Sequence, residues 1–436
     1  MSRPHPLHPG DPIGQLEPQT WMQAAETQAV IAALSADGAE VRFVGGCVRD
    51  SVLKRPIKDI DIATPDPPQR VLALLDEAGI HAIPTGIEHG TVTAVIGKAH
   101  FEITTLRVDV ESFGRRARVQ YTDDWKVDAS RRDFTMNALS ADPQGRIYDP
   151  FDGLADLGAG RVCFVGDPVQ RIEEDSLRLL RFFRFHAHYG RHTAMDRRAL
   201  VACRKLAGKL DSLSGERVAG EVLRLLLAID PAPVLLVMLG EGILPHLLPE
   251  ATNVGRLRVM AWLEHRGLAR ADVQPDAIRR LAALIVTDKA GAEVVGERLK
   301  LSGAQTARLT AMAAPKVAVS DDLDGPALRQ ALRRVGGEEF RDLVLVAWAG
   351  RRSVEAVINH QETQNWIRLL DAARTWQPVI LPVKGRDLLE IGIAPGPEMG
   401  RLLGLVDAWW EAEDYRPDRT ACLDWLRANL TSRTPH

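Results

Sequence analysis

Hydrophobic and polar positions in the first third of the chain alternate between a helical and a strand period. Trp21 to Leu34 repeats at helical spacing and closes in the polar turn Ser35-Ala36-Asp37-Gly38. Val41 to Val44 is a short apolar strand ending in Gly45-Gly46, Cys47 to Leu53 reads as a helix, and Lys58 to Ala63 as a strand. Asp66 is placed to cap a helix from Pro67 to Ala78 that Gly79 ends. Thr91 to Ile96 and His100 to Leu106 alternate as a hairpin around Gly97-Lys98. Residues 107–128 are polar and predict a loop carrying Arg115, Arg116 and Arg118. From about residue 130 the pattern is helical throughout, broken at Pro231-Ala232-Pro233, Gly240 to Gly242, Pro245, Pro249, Ser302-Gly303, Gly325-Pro326, Pro378 and Pro382. Behind a flexible Pro-rich lead over residues 1–20, this predicts a small α/β head on a long helical body, an α+β chain.

Composition narrows the classes. The 436 residues are 45% hydrophobic and 26% charged, enough apolar material for several packed domains and unlike a disordered chain. Aromatics at 5%, with few alternating runs beyond the head, disfavour an all-β fold. No uncharged apolar run approaches the roughly 18 residues of a membrane span, since Pro231 to Gly240 is cut by Glu241. The Pro-rich N-terminus lacks the apolar stretch of a signal peptide. Cys47, Cys163, Cys203 and Cys422 lie far apart with no C-x-x-C, which points to a reducing cytoplasm without disulfides or a zinc site. Net charge is −3 and argues against a nucleic-acid partner only as an average: residues 161–230 hold 13 basic and 9 acidic groups, and residues 251–316 hold 11 and 6.

Five short patterns carry chemistry. Gly45-Gly46-Cys47-Val48-Arg49-Asp50 sits at a strand-to-helix junction, where two glycines let a ligand approach the backbone and Arg49 offers a fork for phosphate oxygens. Taken alone it is equally a tight turn with a surface arginine. Asp59-Ile60-Asp61 falls in a predicted strand, so period two puts both carboxylates on one face with Ile60 turned to the core. Paired carboxylates repel unless a cation lies between them, and Mg²⁺ is the natural partner. The same triplet at Asp322-Leu323-Asp324, inside a turn-like run, reads as a solvated loop and shows that context decides. Glu102 would complete a triad of carboxylates if its strand neighbours that of Asp61; otherwise it is an exposed strand residue.

Arg131-Arg132-Asp133-Phe134-Thr135-Met136-Asn137 opens the helical region, with Arg132, Asp133 and Asn137 near one another on the first turns of a helix. They offer donors for phosphate and both polarities for ribose hydroxyls; the alternative is a capped helix start with a self-paired Arg–Asp. In Glu173-Glu174-Asp175-Ser176-Leu177-Arg178, Asp175 and Arg178 are three apart, so their side chains meet on one helix face. An Asp acceptor beside an Arg donor matches the amino group and ring nitrogen shared by adenine and cytosine, and leaves guanine and uracil unpaired. The bland reading is a surface ion pair of little energy. Arg181 and Arg184 add charge that reaches toward a triphosphate.

Together these patterns resemble the class II tRNA nucleotidyltransferase and bacterial poly(A) polymerase superfamily. The resemblance rests on VRFVGGCVRD, KDIDIATP, FEITTLR, ASRRDFTMNALS and YDPFDGLADLGAGRVCFVGDPVQRIEEDSLRLLRFFRF, within about residues 40–190, and more loosely on LPVKGRDLLEIGIAPGPEMGRLL near the C-terminus. It implies a DNA-polymerase-β-like nucleotidyltransferase head over 21–150, then an all-helical neck (151–230), body (231–320) and tRNA-binding tail (321–436). It implies Mg²⁺ on Asp59 and Asp61 and triphosphate binding at Gly46 and Arg49, to which the residue reading adds Gly45 and, as a further catalytic carboxylate, Glu102. Arg132, Asp133 and Asn137 would contact the nucleotide; Asp175 and Arg178 would template the base, helped by Arg181 and Arg184. The substrates implied are CTP, ATP and a tRNA 3′ end.

Thr85-Gly86-Ile87-Glu88-His89-Gly90-Thr91-Val92-Thr93 followed by Phe101 to Arg107 resembles CCA-adding members, and the basic G-R-R-F-R-L-type run of poly(A) polymerases is absent. The expected activity is therefore addition of C, C and A, with poly(A) synthesis, CC-only or A-only addition, and a catalytically silent RNA-binding protein as alternatives. The 107–128 segment stands where the family carries the flexible loop that accompanies the last A, and no H-x-x-x-H-D cluster suggests a phosphohydrolase.

Overall fold

The computed structural model describes residues 10–113, 116–190, 193–268, 270–355 and 359–431. They fall into two units, divided between Pro249 and Glu250.

The strands of the first unit are β1 (Gly14–Gln15), β2 (Arg42–Val44), β3 (Ile60–Thr64), β4 (His81–Gly86), β5 (Thr91–Ile96), β6 (Ala99–Thr105), β7 (Arg107–Phe113), β8 (Arg116–Tyr121), β9 (Ser140–Ala141) and β10 (Arg146–Tyr148). Eight of them form one mixed sheet in the order β1-β10-β9-β2-β3-β6-β5-β4, and β7 and β8 pair separately. The helices are α1 (Thr20–Gln23), α2 (Ala25–Leu34), α3 (Gly46–Val52), α4 (Pro68–Glu77), α5 (Trp125–Ser130), α6 (Gly153–Ala159), α7 (Pro168–Glu174), α8 (Leu177–Tyr189), α9 (Arg197–Leu206), α10 (Gly215–Leu226) and α11 (Ala232–Gly240).

The sheet centre places the chemistry. β2 runs antiparallel to β3, and β3 runs parallel to β6 with Asp61 opposite Glu102. A parallel pair needs a crossover, which α4, β4 and β5 supply; α4 buries Val71, Leu74 and Leu75. Ile62 and Phe101 are fully buried in the core, whereas Ile60, expected there, is only half-buried.

Several expectations are corrected. Residues 13–16 of the supposedly flexible lead are tied down, because β1 pairs with β10 and Leu16 is buried. The helix expected over 21–34 breaks at Ala24, whose extended backbone lets Thr27 Oγ1 and Gln28 Nε2 donate to the carbonyls that end α1. Asp66 does not cap α4; Pro67 is its N-cap, and the Asp66 carbonyl instead accepts a 2.7 Å hydrogen bond from Thr105 Oγ1. The expected loop over 107–128 is the β7–β8 ribbon followed by α5, which Asp124 caps. The strand period is present in Arg107-Val108-Asp109-Val110 and in Arg116-Ala117-Arg118-Val119-Gln120-Tyr121, but the many charges between the apolar positions favour a loop reading. Arg115 lies outside the described residues. β9 and β10 interrupt the region read as wholly helical, being too short for any periodicity to register.

α8 is held by an aromatic cluster. Phe134 packs on Phe164 and Phe185 with ring centroids 4.9 and 5.0 Å apart, and Phe164 stacks on Phe182 at 5.7 Å. Leu179, Leu180, Phe182, Phe183 and Phe185 form the buried stripe of this helix.

The second unit is all-helical among the described residues outside one isolated bridge. It comprises α12 (Val254–Trp262), α13 (Ala277–Leu284), α14 (Lys289–Arg298), α15 (Gly303–Ala313), α16 (Gly325–Val354), α17 (His360–Thr375), α18 (Gly385–Glu390), α19 (Pro397–Ala412) and α20 (Arg419–Thr431). Side chains of Asn253, Asp276, Asp288 and Ser302 cap α12 to α15. A π-turn over Leu263–Gly267 carries Glu264 inward. There it accepts from Arg279 at 2.5 Å and Arg280 at 2.6 Å, while Asp342 accepts from Arg279 and Arg308. Part of the basic excess counted over 251–316 is thus internal, since Arg279 and Arg280 are buried and Arg256 donates to the carbonyls of Ala282, Ala283 and Ile285. α18, α19 and α20 share a core of Leu388, Leu402, Val406, Trp410, Cys422, Leu423 and Leu426. The Asp322–Asp324 control lies in a turn, with Asp322 and Asp324 exposed and Asp324 leading into α16. No helix among the described residues is long and apolar enough to cross a membrane.

Candidate active site

Every predicted site residue belongs to the first unit, and most converge on one cavity of about 530 Å³. β2 delivers the chain to Gly45 at φ +70°, ψ −123°, a conformation open essentially to glycine. A Cβ there would stand 3.1 Å from Arg132 Nη1 and 3.8 Å from Asp61 Oδ2, so the turn lets a guanidinium and a carboxylate close on the backbone. Gly45, Gly46, Arg49, Asp61, Arg132, Asp133, Asn137, Asp175, Arg178 and Arg181 all line the cavity.

Asp61 is the carboxylate at its floor. Burial, then the charges of Glu102 and Asp59, push it up from 3.8 to about 6, against the pull of Arg132 and Arg49. None of the described residues hydrogen-bonds to its side chain. Asp59 and Glu102 are exposed and stand outside the cavity lining; Glu102 lies opposite Asp61 on β6, whereas Asp59, expected in the strand with Asp61, precedes β3.

Arg132, Asp133 and Asn137 come together, though not on the first turns of a helix. α5 ends at Ser130 with Arg131 as its C-cap, Phe134 is extended, and a single 3₁₀ turn spans Thr135–Asn137. The alternative of a self-paired surface Arg–Asp fails as well. Asp133 is buried and accepts from Arg181 Nε at 2.7 Å and Asn137 Nδ2 at 2.9 Å. Burial alone would raise its carboxyl, but Arg181 and these hydrogen bonds outweigh it and hold Asp133 below the usual carboxylate range. Asn137 Oδ1 in turn accepts from Arg49 at 2.6 Å, so one relay runs from Arg49 through Asn137 and Asp133 to Arg181.

The expected Asp175–Arg178 pair does not form. α7 ends at Asp175, which is extended (φ −152°, ψ 107°), and α8 starts afresh at Leu177, so helical i, i+3 geometry does not apply. Asp175 is gripped by Arg217 of α10 at 2.9 and 2.7 Å. Arg178 is clasped by Glu174 at 2.5 Å and by the carbonyls of Arg171 and Arg131. Arg184, expected to help with the triphosphate, is not in the lining; its guanidinium bonds to Glu221 and lies over the Phe185 ring.

Arg131, Leu177, Phe185 and Arg217 line the cavity without having been singled out. For Arg217 one signal was available: it is a cation in the first turn of a helix, where the macrodipole disfavours it unless a partner waits. A second cavity, of about 540 Å³ in the second unit, contains Arg279, Arg308, Asp276 and Asp342, which pair with one another.

Known proteins resemble this chain along most of its length. Residues 41–163 match the poly A polymerase head domain, and residues 194–254 match a family described as the probable RNA and SrmB-binding site of polymerase A. The mitochondrial CCA tRNA nucleotidyltransferase 1 of Danio rerio is 30% identical over 399 residues, spanning 89% of this chain and 87% of that protein. The chain belongs to the CCA tRNA nucleotidyltransferase family. A CCA-adding enzyme of Limosilactobacillus fermentum is 31% identical over 376 residues, 86% of this chain and 89% of that one. The crystal structure of the Bacillus stearothermophilus CCA-adding enzyme in complex with CTP superposes with a TM-score of 0.73 at 27% identity, covering 94% of this chain and 98% of that one. The expected α+β family fold is therefore observed.

Proposed function

We propose that this chain adds C, C and A to the 3′ end of tRNA from CTP and ATP, with release of pyrophosphate. One observation carries the reading beyond family membership: six arginines (Arg49, Arg131, Arg132, Arg178, Arg181, Arg217) face three aspartates (Asp61, Asp133, Asp175) in one cavity. That surplus of positive charge suits a triphosphate, and Asp61 marks the end where a metal belongs.

The residues fit Mg²⁺. Asp61 is held up at about 6 by burial and neighbouring negative charge, an environment short of a cation. Among the described residues no three of His, Cys, Asp and Glu form a ready-made cage; Mg²⁺ commonly takes one or two carboxylates and completes its shell with phosphates and water. Asp59 and Asp61 would hold it, with Glu102 beside them. When bound it supplies charge that favours the tRNA 3′-oxygen as nucleophile and the departing pyrophosphate.

The protein's own groups position and select. Gly45, Gly46, Arg49 and Arg132 cradle phosphates, and the Arg49–Asn137–Asp133–Arg181 relay keeps two guanidiniums in place. Asp175 and Arg178 are each oriented by their own partners and offer an acceptor and a donor to the base. Adenine and cytosine satisfy both; guanine and uracil leave both unpaired, the kind of mismatch a polar site rejects most strongly. Head, neck, body and tail are assigned with bounds at 150, 230 and 320, the body straddling the division at Pro249, and tRNA binding is assigned to the tail. Four free cysteines suit a reducing compartment such as the cytoplasm.

The test is to incubate the protein with tRNA lacking CCA, Mg²⁺, and CTP and ATP separately and together, then sequence the 3′ ends. CTP alone gives CC and both give CCA. No incorporation, CC ends with both nucleotides, or A runs from ATP would each overturn the reading in favour of a silent binder, a CC-adding enzyme or a poly(A) polymerase.

A further inference from the structure

Beside the cavity-lining Arg49 lies a brace from α8, the helix that also lines the cavity through Leu177, Arg178, Arg181 and Phe185. Asp50 accepts from Arg49 Nε at 3.0 Å and Nη2 at 2.7 Å. The same Asp50 Oδ1 accepts a 3.0 Å hydrogen bond from the hydroxyl of Tyr189, the last residue of α8. The Tyr189 ring also lies 4.5 Å from the Arg49 guanidinium carbon and 4.5 Å from that of Arg55, while Arg55 Nη2 donates to the His188 carbonyl at 2.9 Å. One phenol thus touches Arg49 by its face and, through Asp50, by its hydroxyl.

A guanidinium has five N–H donors. Asp50 takes two and Asn137 one, leaving one on Nη1 and one on Nη2 for a ligand among the described residues. Where those two point depends on the plane of the guanidinium. Asn137 and the Phe185 ring, 5.2 Å away, help to fix that plane, and Tyr189 acts on it twice: by its ring face, through cation–π attraction, and through the Asp50 carboxylate, whose rotation the phenol hydroxyl arrests. Burial raises the Tyr189 phenol above its usual range, so it remains a donor at any working pH.

We propose that Tyr189 is a positioning residue for Arg49: it holds the two remaining guanidinium N–H groups toward the phosphates of the incoming nucleotide. Because α8 also carries Arg178 near its start, one helix orients groups for both the base and the phosphate end. The inference rests on the nucleotide reading of the cavity.

Tyr189→Phe removes only the hydroxyl and Tyr189→Leu also removes the ring. With tRNA lacking CCA, the KM for both CTP and ATP rises about 3- to 10-fold in Tyr189→Phe and further in Tyr189→Leu, while kcat and the KM for tRNA stay within about twofold. On an Arg49→Ala background Tyr189→Phe adds no further loss, because the two act through one group. Unchanged nucleotide KM in Tyr189→Phe, or an equal loss on the Arg49→Ala background, overturns the proposal. Equilibrium binding of Mg·CTP to the wild type, Tyr189→Phe, Arg49→Ala and the double variant reads the brace independently of turnover. If the wild type binds CTP but extends no tRNA, the functional reading fails while the Tyr189–Arg49 coupling is still decided by this measurement.

Discussion

The raised carboxyl of Asp61 makes a prediction about stability that is separable from catalysis. Its rise from an ordinary 3.8 to about 6 comes from burial and from Glu102 and Asp59. At about 1.36 kcal/mol per pH unit this amounts to about 3 kcal/mol. The sign is fixed by which state holds the proton more tightly. A native carboxyl that titrates above its unfolded value costs nothing below pH 3.8, where both states are protonated. The cost grows as pH rises and is complete above pH 6, where both are ionised. Asp61→Asn is neutral throughout, so its stability relative to wild type should improve by about 3 kcal/mol between pH 4 and 7, whatever constant offset the side-chain change adds. Denaturant unfolding in EDTA, followed by hydrogen exchange in peptides from β2 to β6, reports the head alone. Mg²⁺ added to wild type at pH 7 should close the gap by stabilising the ionised form, and the variant should incorporate no nucleotide. Parallel stability curves across this pH range would refute the argument, for they would mean that Asp61 is neither desolvated nor crowded by negative charge.

Three further outcomes are expected. Arg217→Ala releases Asp175 from its two hydrogen bonds at 2.9 and 2.7 Å; discrimination of CTP over UTP should fall about 5- to 30-fold in competing incorporation, the equivalent of about 1–2 kcal/mol, and unchanged selectivity would deny Arg217 an orienting role. Gly45→Ala forces a side chain into φ +70° and against Arg132, costing about 1–3 kcal/mol in denaturant unfolding and raising the nucleotide KM. Glu264→Gln leaves buried Arg279 and Arg280 without their shared counter-charge and should destabilise the second unit by about 3–5 kcal/mol, seen as an earlier unfolding transition.

Much of the site was legible because its residues act through local geometry. A Gly-Gly turn after an apolar strand and Asp61 in the next strand needed only nearest-neighbour periodicity, and the structure sets Gly45, Gly46, Arg49 and Asp61 around one cavity, whereas Asp59 precedes that strand and stays exposed. The condition attached to Glu102 could be written but not resolved from sequence. Whether it faces Asp61 depends on the parallel register of β3 and β6, which the crossover over residues 65–98 must close. The β7–β8 ribbon was missed although its strands alternate, as in Arg116-Ala117-Arg118-Val119-Gln120-Tyr121, because the density of charged residues predicts a loop.

The clearest division is at Asp175. Sequence by itself determined which donors and acceptors are present, how they are spaced along each element, and hence the family and its chemistry. Spacing converts to contact only while a helix is unbroken, and this one breaks at Asp175, so Arg178 turns to Glu174 while Asp175 takes Arg217, 42 residues on. Arg184, Arg279 and Arg280 teach the same point about charge: a count along the chain registered cations, but burial against Glu221 and Glu264 turned them inward. Only the packed structure decides which carboxylate each arginine meets. A buried guanidinium must find a partner wherever the fold brings one, and that choice is made across the core rather than along the chain.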